Sequence, residues 1–342
     1  MKTAVIEPTL LLTTDSKELH CFLGDSPVEL MATEPDIKLT VQCANSEIII
    51  QPQKPLPRRC TIRPMALYEN ARGYFDVTTA MGRMGFSRGS ESPQSYHPFS
   101  HDRNRKLRKL YLCVESMPED DHPASRSRWR NTLPIAAELW KACELAWNPP
   151  TQREIDWLLT FAEWPVPIEA CVLYGLTRRY QNVGKCFVEI GSYRGSSLMV
   201  LAMALNAGGT DLPIFSVDPH VEHPFNRDHA LLALRQIGEA SRLIQMPLPS
   251  DKAASLIAAE SAGLVFIDGD HSYEQAKSDI LHYDRLLSPG GCLVLHDYGF
   301  GAHNNQPDPH PGVRRAVDEI LFDSSAYKPI LSAHTMIAFA KK

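Results

Sequence analysis

The stretch that most constrains the fold of this chain is 186–201, in which a short apolar run, a glycine turn and a helical pattern follow one another. Residues 186–190 form a compact apolar run with one acid, Glu189, near its end, and this pattern predicts a buried strand. Gly191 supplies the positive φ that a sharp turn needs, and Gly195 lets the backbone lie close to a ligand. The apolar positions that recur at helical spacing are Leu198, Leu201, Ala202 and Leu205. In an open α/β sheet, the carboxyl end of such a strand and the amino end of such a helix form the ligand crevice.

The spacing in this turn, Glu-x-Gly-x-x-x-Gly, indicates which ligand the crevice takes. A nicotinamide or flavin fingerprint would be Gly-x-Gly-x-x-Gly, whereas Tyr193 occupies the position of the second glycine. An acid just before the first glycine repels a pyrophosphate and suits a cationic amine or sulfonium. The turn therefore favours S-adenosylmethionine (SAM) over a dinucleotide. An NAD(P)-dependent oxidoreductase on a Rossmann fold stays open as the alternative.

Composition and charge limit the classes of function. The chain has 342 residues, of which 44% are hydrophobic and 22% charged, and this is ordinary for a soluble globular protein with one large or two ordinary domains. The net charge of −5 gives no electrostatic reason to expect nucleic acid as a partner. No apolar run approaches the roughly 18 residues of a membrane helix, and the first residues lack the apolar core of a signal peptide. The eight cysteines are scattered without a Cys-x-x-Cys pair, which favours a reducing, cytoplasmic location.

The chain divides into three predicted parts. Residues 1–130 form an accessory region of mixed α+β character, β-rich and in places irregular, 131–182 form a helical lead-in and cap, and 183–342 form the SAM-binding domain. Short β-like runs in the first part are 20–23, 28–31, 37–42, 47–51 and 60–62. Segment 70–105 is rich in Gly, Ser, Pro and His and is predicted to be a loop. In the second part, Thr151 is predicted to cap the helix that follows it.

From residue 186 onward, strand-like and helix-like segments alternate, which predicts the α/β class with a doubly wound, Rossmann-like sheet of seven mostly parallel strands. The predicted strands are 186–190, 214–217, 242–246, 264–267, 292–295, 328–331 and 335–340. The predicted helices are 195–206, 227–239, 251–260, 272–287 and 312–322. Residues 332–334 would close the last two strands as a hairpin, so one strand of the sheet should run antiparallel.

Two further strand ends supply polar groups that suit a nucleoside. Asp218 ends the second strand 27 residues after Gly191, near the distance at which an acid accepts hydrogen bonds from both ribose hydroxyls. The third strand leads to Ser250 and Asp251, and either side chain could bond the exocyclic amine of adenine. Each of these three residues could instead cap a helix.

The densest group of reactive side chains follows the fourth and fifth strands. The fourth strand ends in Asp268, Asp270 and His271, and the fifth ends in His296 and Asp297. Because the carboxyl ends of neighbouring parallel strands meet at one edge of the sheet, these side chains should lie close together. Carboxylates and imidazoles in such a group can bind a divalent cation, and an imidazole offers a base near neutral pH. A purely structural cluster, in which the acids cap helices, stays open.

These motifs occur together and in order, and the combination resembles a known family. The matching segments are 189–197, 217–220, 266–273, 289–291, 296–298 and 311–317. They closely resemble the class I SAM-dependent methyltransferases of the type often found beside glycosyltransferase and natural-product genes. The resemblance covers about residues 165–342. Some sugar O-methyltransferases of macrolide pathways also carry an amino-terminal accessory domain, so the first part of the chain is compatible with it.

The resemblance implies a role for each matching residue. The residues that would hold the methionine part of SAM are Glu189, Gly191, Ser192, Gly195 and Ser197. Asp218 would hold the ribose, and Asp268 would border the cofactor as well. The run from Asp268 to His271 looks like the Asp-Gly-Ser-His of metal-dependent sugar O-methyltransferases, in which the Asp is a metal ligand and the His a general base. The acidic pair on the next strand of that subgroup falls on His296 and Asp297. This change from acid to His departs from the oxygen ligands that Mg²⁺ prefers.

The sequence therefore predicts a SAM-dependent O-methyltransferase. His271 would remove a proton from a hydroxyl of a sugar or another polyhydroxylated metabolite, and the resulting oxygen would attack the SAM methyl group. Asp268, His296 and Asp297 would hold Mg²⁺ where a cation takes part, and segment 70–105 with the amino-terminal part would shape the acceptor pocket. A SAM-binding module without catalysis is a second alternative. The expected partners are small molecules, not nucleic acid or membrane, and a homo-oligomer is compatible with these features.

Overall fold

The computed structural model describes fourteen stretches of the chain, and it divides the chain into two compact units. The described residues are 11–13, 21–23, 26–32, 37, 39–44, 47–57, 59–79, 84–96, 105–116, 126–143, 150–161, 166–221, 224–299 and 310–342. The first unit comprises Met1–Ala71 and Val77–Asn131, and the second comprises Arg72–Asp76 and Thr132–Lys342. Among the described helices, none has the length and apolar character that crossing a bilayer requires.

The first unit is built from β-strands. Ten described strands precede residue 117: β1 (Leu11–Thr13), β2 (Cys21–Leu23), β3 (Ser26–Ala32), β4 (Leu39–Ala44), β5 (Glu47–Pro52), β6 (Cys60–Asn70), β7 (Phe75–Thr79), β8 (Met84–Phe86), β9 (Gln94–Tyr96) and β10 (Arg105–Ser116). One sheet has the order β1-β4-β5-β9, and its pairs are antiparallel. In β4 and β5 the side chains alternate between buried and partly exposed, with Leu39, Val41, Ile48 and Ile50 in the core. A second run of strands has the order β6-β10-β3-β2.

Segment 70–105 is not the loop that its composition predicts, because it contains β7, β8 and β9. These strands have five, three and three residues, and strands of that length are too short to show a clear alternation. Strand β10 was missed for another reason. Its first half is strongly basic, and the register with β6 shifts between Leu107 and Lys109. Such an irregularity interrupts the period-2 pattern on which the prediction depends.

Three helices lead into the second sheet: α1 (Arg126–Ala142), α2 (Gln152–Phe161) and α3 (Pro167–Tyr180). The predicted cap of α2 is confirmed in detail. The hydroxyl of Thr151 accepts from the backbone N–H of Glu154 at 3.3 Å, and the Glu154 carboxylate accepts from the backbone N–H of Thr151 at 2.6 Å. This reciprocal pair is a capping box. The Glu154 carboxylate also accepts from the hydroxyl of Tyr174 at 2.9 Å, so it links α2 to α3.

The second unit carries the predicted seven-stranded, Rossmann-like sheet, and this prediction is confirmed. The strands are β11 (Cys186–Ile190), β12 (Ile214–Val217), β13 (Leu243–Met246), β14 (Ala262–Ile267), β15 (Leu287–Leu295), β16 (Tyr327–Ala333) and β17 (Met336–Lys341). Their order is β13-β12-β11-β14-β15-β17-β16. The first five run parallel, whereas β17 is antiparallel to both β15 and β16. Strands β11 and β14 are buried along their whole length, as expected of central parallel strands covered on both faces.

Helices connect these strands close to the predicted positions. They are α4 (Ser196–Ala207), α5 (Asn226–Gln236), α6 (Ser250–Leu256), α7 (Tyr273–Asp284) and α8 (Pro311–Val317), with a 3-10 turn at Ala240–Arg242 and a π-helical turn at Asp318–Phe322. The strand order reverses direction between β11 and β14. In open α/β sheets, the crevice outside the carboxyl ends of strands at such a reversal is where ligands bind.

Candidate active site

The turn between β11 and α4 depends on two glycines. Gly191 has φ +83°, and a Cβ at this position would lie 2.0 Å from the carbonyl oxygen of Asp268. Glycine at this position therefore lets the ends of β11 and β14 approach each other, because any side chain would clash with Asp268. Gly195 has φ +87° at the N-cap of α4, and a Cβ there would lie 2.9 Å from Ala230 of α5. Glycine at this position thus also lets α4 and α5 pack closely, and the close approach to a ligand stays a prediction.

The acid that precedes this turn is fully buried. Glu189 is 0% exposed, and its Oε1 accepts a hydrogen bond from the Ser197 hydroxyl. Its Oε2 is buried without a hydrogen-bond partner among the described residues. Burial raises the pKa of Glu189 to about 8, because the ionised form loses its hydration. Nearby, the hydroxyls of Ser192 and Ser216 share a hydrogen bond and tie β11 to β12.

Asp218 joins the loops that follow β11 and β12. Its Oδ2 accepts from the backbone N–H of Tyr193 at 3.0 Å, and its Oδ1 accepts from the backbone N–H of His220 at 2.8 Å. Both donors belong to non-glycine residues with positive φ, 44° for Tyr193 and 50° for His220. Each carboxylate oxygen keeps further lone pairs, so the side chain is held in place and can still accept hydrogen bonds from a ligand.

A cavity of about 850 Å³ opens along these loops. It is lined by Ile190, Gly191, Tyr193, Val217, Asp218, Pro219, His220, Val221, Asn226, Pro249, Ser250, Asp251, Asp268, Gly269, Asp270, His271, Gln275 and Asp279. Six predicted site residues therefore line the same cavity: Gly191, Asp218, Ser250, Asp251, Asp268 and His271. The other four predicted cofactor residues, Glu189, Ser192, Gly195 and Ser197, are buried and are not among the lining residues.

The cavity is also lined by a carboxylate that was not predicted from the sequence, that of Asp279. Asp279 of α7 is 1% exposed, and burial raises its pKa. Its Oδ1 accepts from the Ser250 hydroxyl at 2.5 Å and from the Gln275 amide at 2.9 Å. The single hydroxyl hydrogen of Ser250 is thus directed at Asp279. The sequence held a signal, because Asp279 lies on the face of α7 that buries Ala276, Ile280 and Tyr283.

At one end of the cavity, the residues that follow β14 and β15 meet as predicted. Nε2 of His271 lies 3.0 Å from Oδ2 of Asp297 and 3.6 Å from Oδ1 of Asp268. Nδ1 of His296 lies 3.2 Å from Oδ1 of Asp268 and 3.4 Å from Oδ1 of Asp297. Asp297 has φ +56°, which turns its side chain at the end of β15. A further imidazole, that of His310, packs against His271 with ring centroids 4.2 Å apart and the ring planes tilted by 43°.

The carboxylates and imidazoles of this cluster stabilise one another's charged forms. The carboxylates of Asp268 and Asp297 raise the pKa of His271 to about 9. Burial alone would raise the pKa of Asp297, but the imidazoles of His271 and His296 hold it well below its usual range. The 3.0 Å contact of His271 with Asp297 is an ion pair.

Glu169, a buried acid of α3, was not predicted from the sequence either. Its Oε1 accepts from the backbone N–H of Thr335 at 3.0 Å and from the Thr335 hydroxyl at 2.6 Å. Nδ1 of His334 lies 3.0 Å from the same oxygen, and Nε2 of His296 lies 3.3 Å from Oε2. Burial opposes ionisation of Glu169, but the two imidazoles outweigh it and hold the pKa of Glu169 well below its usual value.

The donor atoms of the cluster form two groups that could hold a metal ion. In each group one atom per residue lies within 4.8 Å of the others; the groups are Asp268, His296 and Asp297, and His271, Asp297 and His310. Mg²⁺ takes oxygen ligands and retains several waters. The first group offers one imidazole nitrogen and the second offers two, so neither fits the oxygen set that Mg²⁺ prefers.

The comparisons with known proteins agree with this geometry. Residues 188–298 match the family model described as "Methyltransferase domain", a stretch that runs from β11 to just past β15. This part of the chain therefore matches a methyltransferase domain. The match favours SAM over the dinucleotide alternative. No curated protein sequence matches the chain.

Solved structures resemble the chain more distantly. They include the SAH-bound methyltransferase PaMTH1 of Podospora anserina, 16% identical with a TM-score of 0.45, over 61% of this chain and 96% of that one. The O-methyltransferase TomG of Streptomyces achromogenes, in complex with SAM, is 17% identical with a TM-score of 0.43, over 62% of this chain and 97% of that one. Because these identities and TM-scores are low, the identification of the domain stands on the family model and on the strand order.

Proposed function

We propose that the chain transfers the methyl group of SAM to a hydroxyl of a sugar or another polyhydroxylated small molecule, with His271 as the general base. The observation that carries the proposal is the position of His271. Its ring lines the same cavity as Gly191 and Asp218, and its Nε2 is flanked by the carboxylates of Asp268 and Asp297. A base at the edge of the cofactor cavity suits a reaction in which a hydroxyl must lose its proton as it attacks.

The residues around the glycine turn fit SAM. When bound, SAM supplies an activated methyl group on a positively charged sulfur. Asp218 accepts hydrogen bonds from the ribose hydroxyls, because its two oxygens are held at the cavity wall by backbone donors. Two residues before Gly191, Glu189 supplies a buried acceptor atom without a hydrogen-bond partner among the described residues, and a positively charged ligand nearby favours its ionised form. Ser250 and Asp251 border the adenine of SAM, together with Gln275 and Asp279.

The chain's own groups handle the acceptor proton at His271. Asp297 fixes the ring through Nε2, which is buried against the two carboxylates, and it stabilises the imidazolium that forms when Nδ1 takes the proton. Because the two carboxylates favour the imidazolium in the absence of ligand, the ring must lose its own proton before it acts as a base. The positive charge of the methyl donor in the same cavity favours that loss, because a nearby positive charge disfavours the protonated, positively charged form of the ring. Positioning of the two reactants supplies much of the remaining rate.

The test separates binding from transfer. Calorimetric titration of the full chain with SAM, before and after EDTA treatment, should show saturable binding at one site. A panel of sugars and other polyols is then screened with SAM that carries a labelled methyl group. His271→Gln should bind SAM as the wild type does and lose about 10²–10⁴-fold in transfer rate, the usual contribution of a general base. Absence of SAM binding would refute the cofactor assignment, and full activity of His271→Gln would refute the role of the base.

A further inference from the structure

Acceptor atoms face both nitrogens of the His296 ring. Nδ1 lies 3.2 Å from Oδ1 of Asp268 and 3.4 Å from Oδ1 of Asp297. Nε2 lies 3.3 Å from Oε2 of Glu169 and 3.3 Å from the hydroxyl oxygen of Thr335. The Thr335 hydroxyl donates its hydrogen to Oε1 of Glu169 at 2.6 Å, so its oxygen offers a lone pair to His296. Each ring nitrogen is therefore next to two acceptors.

Acceptors at both nitrogens call for a ring that donates at both. A neutral imidazole has one N–H and one lone pair, whereas the imidazolium has two N–H groups. In a neutral ring, the lone pair would face either the carboxylates of Asp268 and Asp297 or that of Glu169, and both arrangements are unfavourable. Burial opposes protonation of His296, but Asp268, Glu169 and Asp297 outweigh burial and hold the pKa of His296 well above its usual value. Geometry and charge thus agree on a positively charged ring.

This charge conflicts with a metal ion in the same cluster. A histidine binds a metal through a lone pair, so it must be neutral to act as a ligand. Nδ1 of His296 would have to give up its proton, and the three neighbouring carboxylates oppose that loss. An ion held by Asp268 and Asp297 alone would lie close to the imidazolium, and like charges at such a distance repel each other.

We propose that the imidazolium of His296 occupies the place beside Asp268 and Asp297 that the family resemblance assigns to a divalent cation, and that methyl transfer by this chain needs no metal ion. The inference rests on the proposed function for the reaction itself. His296 is a positioning residue, because it is not among the described residues that line the cavity. Its charge stabilises Asp297 as a carboxylate, whose Oδ2 lies 3.0 Å from Nε2 of His271.

The first test asks whether the full chain binds a divalent ion, and it needs neither SAM nor an acceptor. The protein is treated with EDTA, desalted and titrated with Mn²⁺, and the electron paramagnetic resonance signal of the free ion reports binding. The wild type should show no saturable site up to millimolar concentrations. His296→Asp replaces the positive charge by a carboxylate and should bind Mn²⁺ at least about tenfold tighter, because the local charge falls by two units.

Matched variants locate any ion that binds. His310→Gln removes the other imidazole near Asp297, whose Oδ2 lies 3.9 Å from Nε2 of His310, and it keeps His296. This control should bind Mn²⁺ no better than the wild type. Saturable binding of Mn²⁺ to the wild type that is lost in Asp268→Asn would overturn the inference. A folded His296→Asp with the weak Mn²⁺ binding of the wild type would overturn it as well.

The second test reads the protonation state of the ring and stands even if His296→Asp does not fold. The full chain is labelled with nitrogen-15 histidine, and the two ring signals of His296 are assigned by their absence in His296→Asn. At neutral pH both nitrogens should carry a hydrogen, the spectroscopic signature of an imidazolium. One protonated nitrogen and one lone pair would refute the inference.

These outcomes are distinguishable from a failure of the proposed function. The stripped protein is also titrated with SAM by calorimetry, and its transfer rate is measured with an acceptor from the screen. Binding of SAM, with transfer that only an added metal ion restores, would sink the inference and leave the methyltransferase proposal in place. A protonated His296 without binding of SAM would refute the proposed function and leave the charge of the ring as assigned.

Discussion

Binding of SAM should release a proton from Glu189. The side chain is fully buried, and burial raises its pKa to about 8 in the free protein. At pH 7 the carboxyl group is therefore about 90% protonated, from the difference of one pH unit. SAM carries a positive charge on its sulfur, and an opposite charge within about 4–6 Å lowers the pKa of an acid by roughly 1–3 units.

A fall of about 2 units, from about 8 to about 6, would reduce the protonated fraction at pH 7 from about 0.9 to about 0.1. Binding should then release about 0.8 proton at pH 7. The release should be largest near pH 7 and fall to about 0.1 proton at pH 5, where Glu189 stays protonated, and at pH 9, where it is already ionised.

The assay is calorimetric titration with SAM in buffers of different ionisation enthalpy, since the slope of the observed enthalpy gives the number of protons released. Glu189→Gln should remove the 0.8-proton contribution and keep any release from other groups, so the difference between the two proteins isolates Glu189. Glu274→Gln, which alters an exposed acid in the first turn of α7, is the matched control and should behave as the wild type. Equal slopes for the wild type and Glu189→Gln at pH 7 would refute the reasoning.

Three further predictions concern the same unit. Gly191→Ala should lower the free energy of unfolding by about 1–3 kcal/mol, because it adds a strained backbone to the 2.0 Å contact of the new Cβ with the Asp268 carbonyl; an unchanged urea midpoint would contradict this. Asp218→Asn should weaken SAM binding by about 1.5–3 kcal/mol, the usual value of hydrogen bonds to a charged group, and calorimetry showing wild-type affinity would exclude the ribose contact. Thr151→Ala should lower the free energy of unfolding by about 1 kcal/mol through loss of the cap, while SAM affinity stays unchanged. Glu154→Gln should lower the free energy of unfolding more than Thr151→Ala does, because Glu154 also accepts a hydrogen bond from Tyr174.

The sheet of the second unit could be predicted because its chemistry is local. The central parallel strands β11 and β14 are buried on both faces and therefore stand out as apolar runs, each followed by polar or glycine residues that end it, whereas the edge strand β13 is partly exposed. The same logic predicted that the residues after β14 and β15 would meet, since neighbouring parallel strands end at one edge. In the first unit, short strands and the irregularity near Leu107 hid the pattern.

The rest of the candidate site depends on contacts between distant parts of the chain. Glu169 stands in an apolar stretch, and an acid there was visible in the sequence, but its donor Thr335 is 166 residues away. Asp279 was visible as an acid on an apolar helix face, yet nothing local indicates that Ser250 would lie beside it. The replacement of an acid by His296 could be seen as a departure from the resembled family. The contact of the His296 ring with Glu169, 127 residues away, became clear only in the structure.

The hairpin of β16 and β17 determines when, during synthesis, the hydrogen bonds of Glu169 can form. Glu169 is synthesised 166 residues before Thr335, whose two donors stabilise the buried carboxylate by hydrogen bonds. At about 5–20 residues per second, synthesis places roughly 10–30 s between the two. Until then, enclosing the carboxylate would leave an ionised group without its hydrogen bonds, at a cost of several kcal/mol. We expect α3 to dock stably against the sheet only after the hairpin has emerged from the ribosome. The contacts of Glu169 with Thr335 and His296 should therefore form together, in one late step of folding.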